Sequence, residues 1–153
     1  MTPTQPTDHA PMRESAPLAA SPKLDRFARG FLLASAIVLL AYALPFLFAP
    51  RLLGQLVQIE YVGPNAYIEI RAFYGGLELG IALYLIWSAR AAQRTPYALM
   101  MFGLVFFPAG AARAWGVLQY GATGPSQPLV AAIEVVGASA ALWLARALRA
   151  PRA

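Results

Sequence analysis

Five ionisable residues interrupt stretches that are otherwise almost wholly apolar: Glu69, Arg71, Glu78, Arg113 and Glu134. A guanidinium brings five donors in a rigid fork and a carboxylate brings only acceptors, so such a set can form ion pairs, hold a polar head group or move a proton. In acid–base chemistry Glu78 or Glu134 would serve as acid or base, with Arg113 or Arg71 stabilising developing negative charge. Glu78, Arg113 and Glu134 are therefore the catalytic candidates if the chain is an enzyme. As a binding site the same region offers Tyr67, Arg71, Tyr74, Glu78, Arg113 and Glu134.

At about 100° per residue, Tyr67, Arg71, Tyr74 and Glu78 fall on one stripe of a helix, with Glu69, Gly76 and Gly80 almost opposite. The stripe reads as a pocket wall. The opposite face reads as structural, because Gly76-Leu-Glu-Leu-Gly80 matches the small-xxx-small spacing that lets helices approach closely.

The elements that must carry these residues are apolar runs at 31–48, 68–87, 97–118 and 129–148. Each is near the length that crosses a hydrocarbon core of about 30 Å at about 1.5 Å per residue. Pro50, Gly63-Pro64, Thr95-Pro96 and Gly124-Pro125 punctuate them. Of the 153 residues, 59% are hydrophobic and 12% charged, about half the charge of an ordinary soluble domain. The expected fold is all-α, an integral membrane four-helix bundle over 25–150, preceded by a disordered tail at 1–24 whose prolines, Thr and Ser cannot build a core. The long polar leader favours an uncleaved first span over a signal peptide. Pro108, within the third run, predicts a kink.

Basic residues outside the spans set the orientation. Arg13, Lys23, Arg26, Arg29, Arg90, Arg94, Arg146, Arg149 and Arg152 lie on one side, and Arg51 alone lies on the other. Both termini are thus expected in the cytoplasm, and Arg71, Arg113, Glu134 and Glu78 in the outer half of the bilayer, from roughly 4 Å to roughly 15 Å deep. Charges at such depth cost about 2.5 to 3.5 kcal/mol each at a span centre unless compensated, so they must face the bundle interior. Overlapping depths and side-chain lean suggest the pairs Arg113 with Glu78 and Arg71 with Glu134.

Other chemistries find little support. There is no cysteine, and the single histidine, His9, lies in the tail, which leaves no sequence basis for a metal site or a histidine triad. Lys23 is the only lysine and no phosphate loop accompanies it, so no cofactor is expected. The net charge of +5 arises from residues flanking apolar runs rather than from a basic, aromatic-laced face, so nucleic acid is not an expected partner. Each hairpin passes a Gly-Pro and then an Ile-Glu pair, Ile68-Glu69 and Ile133-Glu134, a weak echo of a duplicated hairpin.

The segment from Ile68 to Gly80, with Glu69-Ile-Arg71 followed by Tyr74-Gly75-Gly76, resembles the signature of a widespread bacterial family of small four-helix membrane proteins of unassigned function. Ala112-Arg113 and Glu134 match that family's later positions, and the resemblance runs over about 27–148. The family is distantly similar to DoxX-like and EXPERA-like groups. Some members of those groups act on quinones or sterol-like lipids; with the charged cluster, the expected function is a bacterial inner-membrane lipid- or quinone-type binder or accessory subunit, alternatively an enzyme with isomerase- or hydrolase-like acid–base chemistry on an apolar, lipid-like substrate. Its expected partners are the bilayer, an apolar lipid-like ligand, and a second copy or another membrane protein.

Overall fold

The computed structural model describes residues 21–56, 60–122 and 124–150. The expected disordered tail lies, through residue 20, outside the described residues. Among the described residues there are five helices: α1 Pro22–Phe48, α2 Pro50–Leu56, α3 Gly63–Ala89, α4 Thr95–Tyr120 and α5 Ser126–Arg149. All but α2 are long and apolar enough to cross a membrane, and no strand occurs among the described residues.

Helix ends extend past the apolar runs wherever a local device supports them. The Ser21 hydroxyl accepts from Leu24 N at 3.2 Å, Pro22 occupies the first turn, and Asp25 pairs with Arg29 at 2.7 Å, so α1 begins nine residues before the uncharged stretch. Pro64 likewise starts α3 early. Gly121, with φ of 77°, ends α4, its N–H donating to the Val117 carbonyl at 3.0 Å. Pro108 lies within α4 without ending it.

Within α3, Arg71–Leu77 winds as a π-helical segment. A wider turn advances fewer degrees per residue, so a stripe drawn at constant pitch across it is rotated out of register.

The helices pair as α1 with α3 and α4 with α5. Alanines let the pairs meet at the end of the bundle that carries Ala28: Ala28, Leu32 and Ala36 pack with Ala82, Leu85, Ala98, Leu99, Ala141 and Leu144 in one buried core. Close packing of α4 on α5 runs through Gly103 and Gly110. A Cβ at Gly103 would collide with Leu142, and one at Gly110 would lie 2.8 Å from Glu134 Cβ and 3.0 Å from Val135 N. The expectation for Gly76 and Gly80 is corrected: Gly80 has open space around it and Gly76 meets only its own helix, at the Arg71 carbonyl. The close approach is at Gly75, where a Cβ would lie 2.6 Å from Leu47 Cγ. Gly75 lies seven residues, two turns, before the buried Ala82, and so falls on the face of α3 that packs.

Candidate functional site

The alanine-rich core fills one half of the bundle, and space remains in the other. A cavity of about 590 Å³ lies between the two helix pairs, with walls from α1 (Phe31, Val38), α4 (Phe102, Phe106) and α5 (Val130, Ile133). Its polar residues are Glu78 from α3, Arg113 from α4, Glu134 from α5, and Ser35 and Tyr42 from α1. Gly137, two turns before Leu144 on α5, also lines it, and a Cβ there would meet nothing within 4 Å.

Arg113 and Glu134 form a two-bond ion pair: Nε donates to Oε2 at 2.9 Å and Nη2 to Oε1 at 3.0 Å. Arg113 Nη1 also donates to Gln127 Oε1 at 2.9 Å. Three N–H bonds thus fix the guanidinium, and its fork geometry leaves two donors for another acceptor. Glu134 and Gln127 lie seven residues apart, two turns of one face of α5, which is why both reach the same group.

Glu78 has no such partner. Its Oε2 is buried and makes no hydrogen bond. An unpaired buried acceptor costs about 1 to 3 kcal/mol, so this carboxyl is poised to take a donor from anything entering the cavity.

Both expected pairs are therefore corrected. Arg113 pairs with Glu134 rather than Glu78, because α4 and α5 are the closely packed partners and Gly110 brings the backbones together one turn from Arg113. Arg71 does not reach Glu134; its Nε donates to the Leu47 carbonyl at 3.1 Å.

The remaining sequence candidates divide. Tyr74 packs on Phe46, with ring centroids 5.2 Å apart. Tyr67 packs on Tyr61 at 4.9 Å and, with Arg71, lines a separate cavity near α2. Glu69 is exposed. Tyr42, Ser35 and Gln127 are site residues that the charge pattern did not flag. Tyr42 and Ser35 are the only hydroxyls in the uncharged run of α1, which was the available signal.

The chain belongs to the family described as a domain of unknown function, DUF4345, whose family model matches residues 27–145. That range holds all four long helices except their outermost turns, and every residue lining the cavity. No curated protein matches, and no solved structure matches. The comparisons lend no support to the DoxX-like or EXPERA-like relationship.

Proposed function

We propose that the protein is a multi-pass protein of a bacterial inner membrane that binds a lipid-like molecule in the cavity between its helix pairs. The observation that carries this reading is the cavity's polarity: aromatic and aliphatic walls along α1, α4 and α5, with Glu78, Arg113 and Glu134 gathered toward one end. Phe31 and Tyr42 lie eleven residues apart on α1, so the slot runs for roughly 16 Å along the helix axis. That shape suits a polar head on an apolar body.

The head group follows from the hydrogen-bond inventory. Arg113 is already ion-paired, so an anionic head would meet no uncompensated cation. What the site offers is an unpartnered carboxylate oxygen on Glu78 and two unused guanidinium donors on Arg113. A hydroxyl satisfies both, donating to Glu78 and accepting from Arg113. The ligand class is a neutral, hydroxyl-bearing amphiphile, and a quinol is one member of it.

The membrane setting is supported by the four long helices and by their apolar exteriors, on which Leu118 and Tyr120 are each 81% exposed. Cytoplasmic termini are supported by the basic residues at that end of the bundle. Arg94 lies over the Trp87 ring at 3.8 Å and Arg149 over Tyr97 at 4.4 Å, the arrangement of aromatic and cationic anchors at a membrane interface.

Glu78 also favours a second reading, in which the bound molecule is turned over with this carboxyl as general acid or base. Native mass spectrometry of the purified protein tests the first reading. A neutral lipid-like molecule bound at one per chain supports it, and a stoichiometric protein partner with no small molecule would point to an accessory subunit instead. Chemical change of that molecule on incubation, lost in Glu78→Gln, would mark an enzyme.

A further inference from the structure

A second cavity, of about 690 Å³, opens where α1, α2 and α3 meet, and its chemistry is opposite to that of the first. Its wall carries two guanidiniums, Arg51 and Arg71, with Tyr67, Pro50 and Pro64 between them. We propose that this cavity binds the phosphate group of an anionic lipid. The site is separate from the Glu78 cavity and shares with the proposed function only the membrane setting.

Three observations carry the assignment. First, no carboxylate of the described residues pairs with either arginine; the ion pairs among those residues are Asp25 with Arg29 and Arg113 with Glu134. Second, among the described residues, the contacts that hold each guanidinium leave its terminal nitrogens available. Arg71 is anchored through Nε to the Leu47 carbonyl in the last turn of α1, and the Arg51 guanidinium sits 5.4 Å from the centre of the Tyr67 ring, which itself meets Tyr61 edge to face. A guanidinium fixed at Nε or by its face presents the remaining fork to a phosphate, which it can bind in two-bond fashion. Third, Phe48 and Ile68 line the same cavity and are 80% and 60% exposed, giving an acyl chain an apolar seat beside the charge. A free phosphate would use the arginines and ignore that seat. The position, at the ends of α1 and the start of α3, is the level of a membrane's head groups.

The test is native mass spectrometry of the full chain after incubation with an equal mixture of phosphatidylglycerol and phosphatidylcholine. The wild-type protein should retain phosphatidylglycerol preferentially. The preference should fall about fivefold in Arg51→Gln or Arg71→Gln and roughly twenty-five-fold in the double variant, the effect expected of one juxtamembrane cation and of two. Raising sodium chloride should weaken the preference in the wild-type protein, a reading that needs no variant to fold. Gly137→Leu, which occupies the other cavity, should leave the preference intact, so the two proposals fail separately. Equal retention of the two lipids, a preference indifferent to salt, or an unchanged preference in a folded double variant would overturn the assignment. Inorganic phosphate that bound as tightly as phosphatidylglycerol would give the cavity to the free ion and overturn the lipid.

Discussion

Arg113 on α4 and Glu134 on α5 meet through two parallel hydrogen bonds of 2.9 and 3.0 Å, one turn from the point where Gly110 lets the two backbones approach. Removing either partner strands the other charge in an apolar setting. Their side chains keep 27% and 15% of their exposure, so the cost belongs at the lower end of the range for buried pairs, about 3 kcal/mol for Arg113→Ala or Glu134→Ala. The double substitution should cost less than the sum of the two, by 1 kcal/mol or more in detergent unfolding. Strict additivity would show that the pair does not form.

Glu78 is expected to behave differently. Its Oε2 has no partner to lose, so Glu78→Gln should leave the melting temperature within a few degrees of wild type, or raise it, while sharply reducing retention of the bound molecule. Glu69→Gln is the control, since Glu69 is exposed. The informative comparison is melting temperature and ligand occupancy measured on both variants. A Glu78→Gln protein with normal occupancy would remove this residue from the site.

The packing of α4 on α5 gives a purely structural contrast. At Gly110 an added methyl must displace Glu134 Cβ and the Val135 backbone, so Gly110→Ala should destabilise by about 1 to 3 kcal/mol and loosen the ion pair with it. At Gly80 the same change meets open space and should be neutral or stabilising by up to about 1 kcal/mol. Thermal unfolding of the two variants side by side checks this.

The four long helices were legible because apolar runs near 20 residues have few other uses, and the charged residues within them stood out for the same reason. Which charges would meet was not legible. Depth along the axis could be counted from sequence, but azimuth could not, because the π-helical segment at Arg71–Leu77 rotates the face between Tyr67 and Glu78. Arg71 and Glu78, on one stripe at constant pitch, accordingly face different surroundings, Arg71 the Leu47 carbonyl and Glu78 the cavity between the helix pairs. α2 escaped notice because seven residues containing an arginine and a glycine carry too little periodicity to read. Tyr42 and Gln127 became site residues only through the pairing of helices, which no single-helix pattern encodes.

Orientation rests on the asymmetry of basic residues and can be measured directly, since the chain has no cysteine of its own. Single cysteines at Glu60 and Ala122 should react with a membrane-impermeant thiol reagent on intact cells, and one at Gln93 should react only after lysis. All three positions are exposed. The reverse labelling pattern would turn the Glu78 cavity toward the cytoplasm.

The central claim is that the slot between the helix pairs holds a neutral, hydroxyl-bearing lipid-like molecule, and Gly137→Leu tests it most directly. A side chain at Gly137 meets no neighbour within 4 Å of its Cβ and projects from the cavity wall, so leucine should fill the slot while preserving or slightly raising helix stability. Native mass spectrometry of wild-type and Gly137→Leu protein, purified identically, reads the outcome. The account predicts one neutral amphiphile per chain in the wild type and none in the variant, with the melting temperature of the ligand-free protein maintained. A folded Gly137→Leu protein that still carries the molecule, or a wild-type protein that carries none, would contradict it.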